Sequence, residues 1–271
     1  LNKRSVAIQR AFGLFERDKR ASAGRAVLRD IIRRGVTTLS AFNDLLSGRS
    51  VSRRAAWLGM AATIAVSGFA IAASGPSYAQ RKQGPSEVSV DELMKPSDLA
   101  DLTLGPADAK VTVVEYASMT CPHCAHFETD VFENFKKKYI DTGKVRFVYR
   151  EFPLDNLAAA VSMLARCAGG DKTFPLIQTF YAKQAEWAFT QGNPVPKLFD
   201  IAKQAGFTQE SFDKCLTDQK LLDQITAQRT RASDTFGVNA TPTFFINGKK
   251  LPETPTLEAF DKVIEPLLAA K

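Results

Sequence analysis

The spacing of apolar residues changes several times along the chain, and each change predicts a different element. Over 111–116, Val-Thr-Val-Val-Glu-Tyr is a short, β-branched and mostly apolar run, the pattern of a strand buried on both faces. Residues 121–138 read as a helix closing on Lys136, Lys137 and Lys138, cations that suit its negative end. Gly143 turns the chain, and 144–150 alternates Val145, Phe147 and Tyr149 as a second strand. Strand, helix and strand in this order form a crossover unit, which implies a parallel pair.

The following stretch reads as helical at 155–168, 172–189, 195–205, 209–217 and 220–236, punctuated by Gly169-Gly170, Gly192-Asn193-Pro194 and Gly206. Strand chemistry returns at Thr243-Phe244-Phe245-Ile246. Asn247-Gly248 supplies a hairpin turn into 249–251, and 256–269 makes a final helix. Upstream, residues 80–109 are polar, with Gly84-Pro85 and Pro96, and read as a linker or N-terminal arm. No internal repeat is visible.

Charge alters this picture through its distribution. The chain of 271 residues carries a formal net charge of +7. Residues 1–54 hold thirteen Lys and Arg against four Asp and Glu, residues 55–79 hold none, and the rest carry 23 basic against 25 acidic residues. The basic excess therefore belongs to the prefix, and a nucleic-acid groove on the main body is not expected. Nineteen Phe leave ample material for a core.

Residues 51–79 read as a signal peptide. Arg53 and Arg54 precede an apolar, Ala-rich segment at 57–73, Pro76 breaks it, and Ser77-Tyr78-Ala79 offers small residues for cleavage, so that the exported form begins at Gln80. The rival is an uncleaved inner-membrane anchor facing the periplasm, but seventeen residues containing Gly59, Ser67 and Gly68 fall short of the roughly 20 apolar residues of a span. Ser52-Arg53-Arg54 also hints at twin-arginine export, although Ala56 stands where a bulkier apolar residue belongs. Residues 1–50 form a basic extension, read either as an amphipathic surface helix or as a segment outside the natural product; the second is preferred.

Cys121-Pro122-His123-Cys124 opens the helix directly after the first strand. Such a pair serves either as a zinc half-site or as a redox dithiol. Zinc needs four converging ligands, and the chain's two histidines, His123 and His126, crowd beside the cysteines on one helical turn. The redox reading uses the position. Free backbone N–H groups and the helix dipole stabilise a thiolate on an exposed Cys121, while Cys124 lies one turn in as the buried resolving thiol. His123 adds a polar, potentially cationic donor near the Cys121 sulfur. Stabilising the thiolate favours the reduced pair and makes the disulfide a stronger oxidant.

At these residues the chain resembles the DsbA family of thioredoxin-fold disulfide oxidoreductases. Cys-Pro-His-Cys after an apolar strand is that family's active-site pattern, and Thr241-Pro242 before Thr243–Gly248 is similar to its cis-proline loop and hairpin. Glu115, six residues before Cys121, and Glu128, seven after it, match acidic positions flanking the family's active site. The resemblance covers roughly 111–269. It implies a thioredoxin-like α/β domain from 110–153 and 237–271, with an inserted helical domain at 154–236. It further implies a periplasmic enzyme that introduces disulfides into reduced or misfolded exported proteins, needs no small-molecule cofactor and is reoxidised by a DsbB-like membrane quinone reductase. Thr241 is a departure, because family oxidases often carry Val before the cis-proline. The alternatives are a disulfide isomerase or redox chaperone and, more remotely, a periplasmic metal-binding protein.

Other residues carry expectations of their own. Glu115 shares a strand face with Val111 and Val113, where an apolar setting raises its pKa and lets it exchange a proton with Cys124; the alternative is a carboxylate at the strand's exposed end. Glu128 reads as a surface electrostatic modulator. A cis Pro242 would place the Thr241 backbone beside the sulfurs, where an extended substrate pairs with it as an added strand. Cys167 and Cys215, both in the helical block of an exported chain, are expected as a structural disulfide, against a pair of buried free thiols.

Overall fold

The structure is a computed structural model describing residues 84–270. The basic extension 1–50 and the signal peptide 51–79 lie outside the described residues. Five strands form one sheet: β1 (Leu102–Leu104), β2 (Val111–Ala117), β3 (Val145–Glu151), β4 (Thr243–Ile246) and β5 (Lys249–Lys250), in the order β1-β3-β2-β4-β5. β2 and β3 run parallel, with Val113 opposite Phe147 and Glu115 opposite Tyr149, while the other pairings are antiparallel. The parallel pair needs a crossover, and one continuous helix, α2 (122–140), supplies it. Within α2, wider π turns at Phe127–Val131 and Lys136–Ile140 alternate with α-helical turns at Pro122–His126 and Phe132–Phe135.

Alternation along the strands divides the core between the two faces of the sheet. Val111, Val113, Phe147, Phe244 and Ile246 point towards α2 and the C-terminal helix α9 (Leu257–Ala269). Rings interlock there: Phe127 against Phe244 at 4.7 Å, Phe135 against Phe260 at 4.7 Å, and Phe132 against Phe147 at 5.2 Å. On the opposite face Val114, Tyr116, Val148 and Phe245 pack against Leu93 of α1 (Val90–Met94) and against Ala232 and Phe236 of the long helix α8 (Gln219–Phe236). Hence β2 is buried on both faces.

Between β3 and β4 the chain inserts α3 (Asn156–Ala168), α4 (Thr173–Ala182), α5 (Gln184–Trp187), α6 (Val195–Ala202), α7 (Gln209–Leu216) and α8. Their starts follow local chemistry. Asp155, Thr208, Asp218 and Thr256 cap the N-termini of α3, α7, α8 and α9 with their side chains. Leu164, Leu176, Phe180, Trp187 and Phe212 join the same apolar cluster as α2, so the insert and the sheet share one core. The β4–β5 turn holds Asn247 at φ 46° and Gly248 at φ 83°. A Cβ on Gly248 would come within 2.3 Å of the Val88 carbonyl, so the position requires glycine.

Two expectations need correction. The described part of the 80–109 segment is not a linker. It carries α1 and β1 and pairs Glu87 with Lys249. Arg150 anchors it, donating to Asp101 through Nε (2.7 Å) and Nη2 (2.9 Å) and to the Leu93 carbonyl at 2.7 Å. Arg166 adds a bond to the Ala100 carbonyl. Polar residues there read as linker because their partners are buried arginines remote in sequence. The helix expected at 172–189 breaks at Lys183, whose ψ is 15°. Beyond the break, Gln184 turns inward and the Trp187 indole donates to the Phe180 carbonyl at 2.8 Å.

Candidate active site

Cys121 is the N-cap of α2, Pro122 sits at the first helical position where no N–H is needed, and Cys124 lies one turn inward. Both cysteines are free thiols. The turn is closed by the Cys121 N–H donating to the Ser118 carbonyl at 3.0 Å, and the first helical bond runs from Ala125 N–H to the Cys121 carbonyl at 3.1 Å. Thr241-Pro242 is a cis peptide, and the Cys121 thiol donates to the Thr241 carbonyl at 3.2 Å. Cys121 is thereby more enclosed than expected, at 5% exposure against 0% for Cys124, because the cis-proline loop lies against its sulfur.

The two sulfurs are electrostatically unequal. The Cys121 thiol is lowered to about 5, chiefly by the hydrogen bond from the Cys124 thiol, with Thr241 and the backbone N–H groups of Cys124 and His123 adding to it against the opposing effect of burial. Cys124 is pushed well up by burial, by its bond to Cys121 and by Glu115 when that carboxyl is charged. The His123 backbone is among the groups that lower the thiol, and the His123 side chain is exposed. The Thr241 hydroxyl is buried and has no partner while the thiol is protonated, leaving its proton available to a thiolate.

Glu115 is fully buried, and neither of its oxygens finds a hydrogen-bond partner. Burial, then Glu128, then Cys121 push its carboxyl well above the usual range. Glu128 is also buried, and burial raises it too. The surface placement expected for Glu128 is overturned by helix geometry: it stands four residues after Cys124, on the face of α2 turned to the sheet. A raised carboxyl favours the protonated fold, so the stability contributed by Glu115 is complete below about pH 4.5 and is lost as the pH rises towards its folded value. In the oxidised protein, Glu115→Leu should therefore gain about 1–3 kcal/mol at pH 4, where it removes an unpartnered buried carboxyl, and more at pH 8, where it also removes a buried charge. Urea unfolding at the two pH values checks this, and an equal gain at both would refute it.

Residues 97–266 match the sequence profile of the family described as Thioredoxin. A Rickettsia bellii protein named "Putative protein-disulfide oxidoreductase" is 34% identical over 193 residues, covering 70% of this chain and 74% of that one. The crystal structure of Wolbachia pipientis alpha-DsbA1 is 32% identical with a TM-score of 0.62, covering 66% of this chain and 96% of that chain. The chain belongs to the thioredoxin family, in its DsbA-type group of disulfide oxidoreductases. Oxidised BdbD from Bacillus subtilis shares the fold at a TM-score of 0.57 and 22% identity, covering 69% of this chain and 99% of that one.

In this DsbA-type chain the helical insert reaches the active-site turn through residues that no sequence pattern singles out. Gln184 Nε2 donates to the carbonyls of Met119 (2.7 Å) and Cys121 (3.0 Å). Asp155 caps α3 at Ala158 N–H (2.8 Å) and accepts from the Thr120 hydroxyl at 2.6 Å. The buried hydroxyls of Tyr149 and Tyr181 meet at 3.0 Å, joining β3 to α4. Their signal in the sequence is weak, since each is one polar group within an otherwise ordinary helix or strand. Cys167 and Cys215 are joined as a disulfide, away from the redox pair in the insert. Among the described residues, no group of three or more His, Cys, Asp and Glu is arranged to hold a metal ion.

Proposed function

We propose that this chain is an exported thiol oxidase that passes the Cys121–Cys124 disulfide to reduced or misfolded proteins in the periplasm. The inequality of the two thiols carries this reading: a sulfur that ionises readily at the helix N-terminus leaves well and is poorly held in a disulfide. A client thiolate attacks Cys121 Sγ of the oxidised pair, the Cys121–Cys124 bond breaks, and Cys124 leaves. Cys124 is buried and is the harder of the two to ionise, so it needs a proton; Glu115, protonated in its apolar setting, supplies one. A second client thiolate then attacks the client sulfur of the mixed disulfide, the client disulfide forms, and Cys121 departs as a stabilised thiolate. Two electrons pass to the cysteine pair, which a DsbB-like membrane quinone reductase reoxidises. Pro242 and the Thr241 backbone hold the client as an added strand. Cys167–Cys215 serves as the structural disulfide.

Thr241 before the cis-proline favours an isomerase as the second reading. Equilibration with glutathione, together with rates on reduced and on scrambled client, separates the two. A strongly oxidising pair that oxidises reduced client faster than it reshuffles scrambled client supports the oxidase. A potential near the roughly −270 mV of a reducing dithiol, or faster reshuffling by a stable oligomer, overturns it. Cys124→Ser should accumulate mixed disulfides at Cys121, and their recovery from the periplasmic fraction tests the location.

A further inference from the structure

We propose that Gln184 is a positioning residue for the redox pair: its side-chain amide, delivered by the helical insert, holds the Met119 and Cys121 carbonyls and so favours a charged sulfur at Cys121. The inference rests on Cys121 being the attacked sulfur.

The geometry is specific. Gln184 is 5% exposed, and its amide nitrogen has two hydrogens, each with one carbonyl to meet, at 2.7 and 3.0 Å. The Cys121 oxygen already accepts the Ala125 N–H, so Gln184 occupies its remaining lone pair. Residues 119–121 are thus gripped from the insert by two side chains, Asp155 at Thr120 and Gln184 on either side of it. The Ser118 carbonyl, which closes the turn on Cys121 N–H, belongs to the same short segment.

The Cys121 carbonyl belongs to the same residue as the sulfur, and its negative oxygen opposes a charge on that sulfur. The Gln184 hydrogen, added to the Ala125 N–H that the oxygen already accepts, offsets more of that field in a buried setting, and the bond to Met119 fixes the turn that carries the sulfur. The break at Lys183 has a use in this account, because an uninterrupted helix through 172–189 would not deliver residue 184 in the same direction.

Residues that merely fill space do not change the sign of an effect with their charge, and this separates the proposal from a packing role. Gln184→Leu keeps the bulk and removes the donors; Gln184→Lys keeps donors and adds a positive charge. In the reduced protein, thiolate absorbance against pH should show the Cys121 midpoint raised by Q184L, with the glutathione equilibrium moving about three- to tenfold towards the disulfide. Q184K should move both the other way. In the unmodified protein, the Gln184 side-chain amide resonances should follow the Cys121 titration, a readout needing no variant to fold. Shifts of the same sign in both variants, values within twofold of the parent, or amide resonances indifferent to the titration overturn the proposal. The midpoint is read on reduced protein without any client, so a protein that proves to be an isomerase leaves this result standing.

Discussion

The reduced protein should be more stable than the oxidised protein at neutral pH, and less stable near pH 5. Two opposing contributions set this crossover. Cys121 ionises at about 5 in the fold, against a reference value of 9.0. A thiol depressed in the fold stabilises it fully above the unfolded value and loses that contribution as the pH falls through the folded one. The full gain is about 5 kcal/mol, and about 3 kcal/mol of it is present at pH 7. Solvent screening at a thiol that a client must reach makes these upper values. Closing the four-residue loop in the oxidised form contributes about 2 kcal/mol in the chain-entropy model. The thiolate therefore wins by at most about 1 kcal/mol at pH 7 and loses below roughly pH 6. Urea unfolding of both redox forms between pH 5 and 8 should show the two curves of stability against pH crossing. Parallel curves would mean that Cys121 is not depressed. Cys121→Ser, which has no thiolate to stabilise and forms no disulfide, should lose the rise of stability between pH 5 and 8 that the reduced parent shows.

How much of this was legible in the sequence depends on how local the cause is. The βαβ unit, the helix beginning at the cysteine pair and the Asn247-Gly248 turn are written in neighbouring residues, because spacing, caps and turn chemistry act over a few positions. The same holds for Glu115, whose burial follows from alternation with Val111 and Val113. β1 was missed because three residues of a short edge strand give too little alternation to register. α1 was missed because five residues between polar stretches have no visible stripe. Other misreadings have tertiary causes. Cys121 reads as exposed in the sequence because the loop that covers it, Thr241-Pro242, is 120 residues away. Gln184 could not be distinguished from any other helical glutamine, since its two partners lie more than 60 residues upstream. Sequence patterns thus place the sulfurs at the start of a helix and say little of the groups around them, because those groups come from elements brought together by the shared core.

Replacing Cys167 and Cys215 together with alanine should lower the unfolding free energy by about 4 kcal/mol in the chain-entropy model. The bridge joins the last turn of α3 to the last turn of α7, with Cα atoms 6.1 Å apart and a sequence separation of 48. Few native contacts would be lost in the change, since Phe212 still packs on Phe199 at 5.1 Å and Leu164 stays in the core. The loss therefore comes mainly from the freedom the unfolded chain regains. Against a typical total of about 5–15 kcal/mol this is a large share, and at about 2–4 °C per kcal/mol it should lower the melting temperature by roughly 8–16 °C. Because Cys215 is 4% exposed, the substitution also removes a buried sulfur, a smaller loss that adds to the first. Below the new transition, client oxidation should continue at close to the original rate, since the redox pair and its contacts lie elsewhere. A loss under about 1 kcal/mol would show that the insert is held by its packing alone. Unchanged stability with a shifted glutathione equilibrium would instead show that the bridge is coupled to Cys121, the route then being α4 and Gln184.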